Sequence, residues 1–245
     1  MEYGGHWKLN HYAFRRVFAP VSLTLFRPSS STKVGASVAV DEVPEELAGP
    51  AGPDGFRAQI VLSVYEWRTG RFVRSCLLPA RRWRAQSSAT EYVEEADLLV
   101  GSDPREVFVR AVLMPEGGGA EISRAHHFPQ ELRGGFANTT GLTADGVEFT
   151  IAAYPGEAEV VVEVRAASQN PCAAAFAVLE AGGWPGGPSR IPGRFTVNFW
   201  ETILPGEAVR TTFRPWGKEA VDPGELQRAL RLRHLRQAVP PPESE

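Results

Sequence analysis

Hydrolysis of a sugar bond needs two carboxyls about 5 to 10 Å apart on a rigid frame, one protonated and one charged. The chain carries 29 acidic residues, but its adjacent pairs do not suit that task. Glu45-Glu46 and Glu94-Glu95 fall in polar connectors, where a solvated surface is expected. His126-His127 offers two metal-binding nitrogens, yet neighbours on a strand point to opposite faces and no third ligand stands at a suitable spacing. Ser87-Ser88 lacks a nearby histidine or acid and any elbow motif. The glycine runs at 117–119 and 182–187 lack the strand-to-helix setting of a phosphate cradle. No catalytic residue, metal ligand or cofactor site is therefore expected in this chain.

Six tryptophans could stack on sugars, because an indole face is flat and apolar. Sandwich cores use the same side chain, and Trp67 and Trp200 read as core. Trp83, Trp184 and Trp216 would have to form an exposed row for a binding platform. Asn138-Thr139-Thr140 is a glycosylation sequon, meaningful only if the chain enters the secretory pathway. Cys76 and Cys172 are too few for a disulfide framework and read as small buried apolar residues. A bridge between them would have to join two domains.

The elements around these residues read as strands. Val21 to Phe26, Val34 to Val40, Arg57 to Trp67, Phe72 to Leu78 and Arg105 to Met114 alternate apolar and polar residues. With Arg82 to Ser87 and Ile122 to Phe128 they make one β-sandwich, interrupted by a flexible excursion at Pro44 to Asp54 and an acidic connector at Glu91 to Asp97. Val147 to Ala153, Val160 to Val164, Ala173 to Leu179, Phe195 to Ile203 and Val209 to Phe213 supply a second. Phe195, Val197, Phe199 and Ile203 are expected on one apolar face. Leu204-Pro205-Gly206-Glu207 is expected to turn that strand into a closing hairpin with Val209 to Phe213. The segment from Leu226 to His234 fits a helix or a strand. No long helix separates the strands, so the fold class is all-β.

Before these strands, residues 1 to 18 read as one short α-helix bearing Trp7, Phe14 and Phe18. Such large aromatics need a surface to dock on, and that surface is expected upstream of Met1. The boundaries are then 1–18 for the helix, 19–128 and 144–238 for the sandwiches, 129–143 for a linker and 239–245 for a disordered tail. With 43% hydrophobic and 22% charged residues, the composition is that of an ordinary globular protein. A net charge of −3 leaves no basic excess for nucleic acid. No apolar run is long enough for a membrane span, and Met1-Glu2-Tyr3-Gly4-Gly5 has no signal-peptide order.

Two stretches then resemble one family. Glu2-Tyr3-Gly4-Gly5-His6-Trp7 through Tyr12, with Phe18-Ala19-Pro20, resembles the last barrel helix of a β-mannosidase of glycoside hydrolase family two. Ile191-Pro192-Gly193-Arg194-Phe195, Asn198-Phe199 and Phe213-Arg214-Pro215-Trp216 resemble the end of its last immunoglobulin-like domain. Val64-Tyr65-Glu66-Trp67, His127-Phe128 and Glu225-Leu226 extend the likeness along the chain. It departs at Ala125, where the family has Asn, at Val197, where it has Asp, and in the extra length at Pro44 to Asp54. The resemblance, nearest to the animal lysosomal enzymes, implies two immunoglobulin-like antiparallel sandwiches behind a helix left over from a (β/α)8 barrel. It also implies an extended segment at Leu230 to Leu235. The parent would be a retaining exo-glycosidase that removes terminal β-linked mannose from oligosaccharides in the lysosome. Its two catalytic glutamates would lie upstream, so the chain alone is expected to be inactive, with the missing barrel as its partner. The alternative is a carbohydrate-binding or adhesion sandwich without catalysis.

Overall fold

The computed structural model describes residues 18–48, 55–67, 69–129, 147–156, 159–184, 186–216 and 220–234. Outside these lie Trp7, Phe14 and the rest of the expected N-terminal helix before Phe18. The sequon at Asn138, nearly all of the linker and the tail also lie outside them. The chain divides into two compact units, Met1–Trp67 with Arg71–Thr140 and Arg68–Gly70 with Gly141–Glu245. Both are built of antiparallel sheets, and the described residues hold only two short α-helices, Glu95–Leu98 and Pro223–Ala229.

The first unit contains β1 (Val21–Phe26), β2 (Lys33–Val40), β3 (Phe56–Glu66), β4 (Phe72–Leu77), β5 (Arg81–Trp83), β6 (Ser87–Glu94), β7 (Val107–Pro115) and β8 (Ser123–His127). One sheet runs β1-β2-β6; the other runs β4-β3-β7-β8, with β5 also paired to β3. Strict alternation aims Val21, Leu23, Val38 and Val40 from the smaller sheet at Ile60, Leu62, Val64, Val109 and Leu113 from the larger. Burial of these two apolar faces against each other is what holds the sandwich shut. The supposed acidic connector is different from its sequence reading. Glu91 to Glu94 finish β6, registered against Lys33 to Ala36, and a helical turn follows. Ala89 and Val93, packed on the core, carry the strand signal that the charged Glu91 between them obscured.

The second unit contains β9 (Phe149–Pro155), β10 (Val160–Ala166), β11 (Ala174–Ala181), β12 (Gly193–Phe195), β13 (Phe199–Ile203), β14 (Ala208–Pro215) and β15 (Leu230–Arg233). Its sheets are β12-β14-β10-β9 and β13-β11-β15. Val162, Val164, Phe195 and Phe213 from one pack with Leu179, Ile203 and Leu232 from the other. The expected closing hairpin is not one. β14 pairs with β12 and β10, whereas β13 pairs with β11 in the opposite sheet. The turn itself forms as expected: Glu207 N–H donates to Leu204 O at 3.0 Å, and Gly206 has a φ of 77°. It joins two layers instead of two neighbours.

Phe195 to Ile203 is likewise two strands in two sheets, not one. Thr196 to Asn198 makes the crossing, and its polar groups explain why. Val197 N–H donates to Thr211 Oγ1 at 3.0 Å, and Thr196 Oγ1 lies 3.0 Å from the same hydroxyl. Leu179 N–H donates to Asn198 O at 2.8 Å, and Asn198 Nδ2 returns a bond to Leu179 O at 3.2 Å. The backbone groups freed by leaving one ladder are thus taken up before the next begins. Phe195 and Ile203 stay inward, while Val197 is exposed and does not share their face.

The last segment is helix and strand in succession. Asp222 Oδ2 accepts from Glu225 N–H at 2.7 Å and Pro223 occupies the first turn, so the helix starts there. Leu226 is buried in the core, and Leu230 then opens β15.

Candidate functional site

The motif residues converge at two places. In the first unit, Tyr65, Trp67, Phe108, His126 and Phe128 lie on the outer face of the larger sheet, opposite the core. Trp67 stacks on Phe128 at 5.4 Å and tilts against Phe108 at 4.5 Å. Tyr65 stacks on Phe108 at 5.6 Å, and the Arg110 guanidinium lies 5.3 Å from the Tyr65 ring. Trp67 and Phe108 are buried although they point away from the aliphatic core. Trp67 is therefore buried, as read from the sequence, but in a second aromatic layer. Offset and tilted ring pairs of this kind hold one another in place.

In the second unit, Gly193 pairs with Pro215, Arg194 with Arg214 and Phe195 with Phe213. The Phe195 and Phe213 rings meet edge to face at 5.0 Å. A Cβ at Gly193 would run into the Phe213 ring, which is the packing reason for glycine there. Both motif clusters therefore position strands and rings; neither gathers reactive groups.

The other candidates are scattered. His126 faces the aromatic layer, while His127 points to the opposite face, where its Nε2 lies 2.7 Å from Glu95 Oε1. Arg27 donates to the other oxygen of Glu95 at 3.0 Å. Glu95 is consequently a half-buried ion-pair residue, not the solvated acid its polar neighbours suggested. Its partners stand 68 and 32 residues away, so no local pattern could have revealed them. Glu94 accepts from Thr32 Oγ1 at 2.8 Å and pairs with Lys33, and these hold its carboxyl below the usual range. Arg210 and Arg165 do the same for Glu163. Glu45 and Glu46 are exposed on a short 3₁₀ turn, as expected. Among the described residues, no group of three or more His, Cys, Asp or Glu is placed to hold a metal.

The tryptophan row does not form. Trp83 pairs across from Phe56 and is only 3% exposed, an inward residue of the first core. Trp184 sits against Gly187, with the Arg231 guanidinium 5.5 Å from its ring. Trp216 is 47% exposed beside Arg190. Trp200 is half-buried against the second core. Cys172 is buried, and Cys76 is half-buried against the first core. Phe18, the described member of the proposed docking trio, is 81% exposed.

With this geometry in hand, the likenesses to known proteins bear on the fold. No protein-family model matches the chain, and no curated protein matches it in sequence. Among solved structures it is similar to a β-D-mannosidase from Dictyoglomus thermophilum, with a TM-score of 0.61 and 15% identity. That match covers 91% of this chain and 22% of the mannosidase. It is similar as well to an exo-chitosanase from Amycolatopsis orientalis, with a TM-score of 0.56, 14% identity, and coverage of 91% and 26%. The chain thus spans about a quarter or less of the first of these enzymes, and what it shares with both is the fold.

Proposed function

We propose that this chain is the C-terminal portion of a glycoside hydrolase of family two, specifically a retaining exo-β-mannosidase acting on terminal β-linked mannose. Its two sandwiches, each of immunoglobulin-like type, brace a catalytic (β/α)8 barrel carried by the same polypeptide. The observation that supports this most is the match of 91% of the chain to a solved β-mannosidase. The resemblance motifs also meet in space, at Trp67 with Phe128 and at Gly193 with Pro215.

In this reading the reaction's two glutamates belong to the barrel, and this chain contributes rigidity. Trp7, Phe14 and Phe18 dock on the barrel, a role consistent with the exposed ring of Phe18. Asn138 is a glycosylation site of a secretory-pathway enzyme. The lysosomal address rests on the sequence resemblance alone. The test is release of nitrophenol from an aryl β-mannoside. The 245-residue chain should be silent, and a polypeptide extended upstream in its gene should turn over. Turnover by the chain alone overturns the assignment, as does an upstream sequence without eight βα units. A chitosan-specific or glucoside-specific extended enzyme would keep the scaffold role and replace the substrate.

A further inference from the structure

The outer face of the smaller sheet in the first unit is unlike the rest of that unit's surface. Register places Ser22, Ala39 and Ser88 in one row, Thr24, Ser37 and Thr90 in the next, and Phe26, Gly35 and Tyr92 in the third. Alternation aims all nine away from the core, which takes Val21, Leu23, Ala36 and Val38 from the same strands. None of the nine is charged. Five are serines or threonines, two are small, and the remaining two are aromatic.

The aromatic row has a specific construction. Phe26 and Tyr92 flank Gly35 and meet edge to face at 6.3 Å. A Cβ at Gly35 would lie 2.8 Å from Phe26 Cζ and 3.1 Å from Tyr92 Cε1. Both rings therefore lean into the space the glycine leaves, as aromatics do over a glycine in a neighbouring strand. They nevertheless remain 36% and 53% exposed. Thr24, Ala39 and Ser88 are exposed as well. Beside them, Thr90 Oγ1 donates to Ser37 Oγ at 3.1 Å. At the rim, Lys33 and Glu94 neutralise one another at 3.3 Å.

We infer that this face binds a neutral oligosaccharide. Tyr92, the more exposed of the two rings, would stack on the C–H face of one pyranose with Phe26 edge-on beside it, and the hydroxyls of Thr24, Ser37, Thr90, Ser22 and Ser88 would bond those of the adjoining sugars. The charge pattern argues for that ligand: nine uncharged positions match a polyol and give an ionic ligand nothing to pair with. Hydroxyls both donate and accept, as sugar hydroxyls do. A protein partner fits less well, because Ser22, Ser37, Ala39 and Ser88 make up four of the nine positions, and protein interfaces are depleted in serine and alanine. Rows about 7 Å apart on strands about 5 Å apart give a spacing that suits a short chain of sugars laid across the strands. The inference does not depend on the enzyme assignment above.

The test uses the full 245-residue chain, with titration of three neutral sugars, mannotetraose, cellotetraose and a fully N-acetylated chitin tetramer, followed by nuclear magnetic resonance. Saturable shifts should centre on Thr24, Phe26, Thr90 and Tyr92 for at least one of the sugars. Tyr92→Ala and Phe26→Ala should each weaken binding about tenfold, and Tyr92→Phe much less. Thr24→Glu, at an exposed position, should abolish binding without disturbing the fold, whereas Leu77→Ala on the other sheet should leave it unchanged. Absence of saturable shifts up to roughly 10 mM sugar overturns the inference. Binding that survives both Phe26→Ala and Thr24→Glu also overturns it. So does a Tyr92 ring that becomes shielded in the upstream-extended polypeptide, since the face would then be a protein interface. Hydrolysis by that polypeptide bears on the enzyme assignment and not on this face.

Discussion

The two units are both antiparallel sandwiches, but they close in different ways. The first stays within the rules of alternation: every strand keeps to one sheet, and aliphatic residues such as Ile60, Leu62 and Leu113 fill the centre. Tyr65, Trp67, Phe108 and Phe128 form a separate layer outside, while Phe56 and Trp83 join the core. The second puts its rings inside, with Phe195 and Phe213 among small residues Ala166, Ala174, Ala177 and Ala181. It closes by a strand that changes sheets and by a helix that inserts Leu226. Each unit is therefore vulnerable in a different place. The first spreads its stability over many similar contacts, whereas the second concentrates it in a few rings and a polar crossing.

That contrast can be broken by substitution, and the largest effect is expected at Phe213. Phe213→Ala should cost about 3 to 5 kcal/mol, because alanine neighbours cannot collapse into the space. Calorimetry should place the loss in the second unit, and an equal cost from Val38→Ala in the first would erase the distinction. Gly193→Ala should come next, at about 1 to 3 kcal/mol, through overpacking against the Phe213 ring. Denaturant midpoints that do not move would show that the ring has another place to go.

Thr211→Val keeps the shape of the crossing but removes the acceptor of Val197 N–H, at about 1 to 3 kcal/mol. A smaller loss, about 1 kcal/mol, is expected from Asp222→Ala at the cap of the helix. The smallest effect is one of pH. Burial holds the His234 imidazole below its ordinary range. As pH falls through about 6.5 the unfolded chain gains a proton that the folded chain does not, so stability drops on acidification. The melting temperature should decline from pH 7 to 5, and His234→Leu should flatten that slope; an unchanged slope assigns it elsewhere.

Much of the first unit was legible in sequence because its signal is local. Val21 to Phe26, Val34 to Val40 and Arg57 to Trp67 alternate cleanly, and the structure keeps those strands within a residue or two. The second unit was legible at its turn, since Pro205-Gly206 fixes backbone angles by itself, but not in its pairing. Which sheet receives a strand depends on partners such as Thr211 and Leu179, and those are tertiary facts. Trp83 shows the same limit from the other side. A binding platform required it to be exposed, yet after two exposed arginines this three-residue strand buries its third residue. The pair of Glu95 and His127 was invisible for want of any local spacing. The Tyr65, Trp67 and Phe128 motifs were found in sequence, and the structure supplied only their meeting point.

The terminal helix and strand have a consequence for any attempt to shorten the protein. β15 supplies one of the three strands of its sheet, and Leu226 plugs the end of the second core. A polypeptide stopped after Trp216 would still contain every stretch from which the sandwich was first read, yet it would leave β11 with an open flank and a hole where the leucine belongs. Synthesis on the ribosome meets the same condition: this half cannot reach its final form until its closing residues have left the exit tunnel, so it must wait while the earlier half is already free to settle.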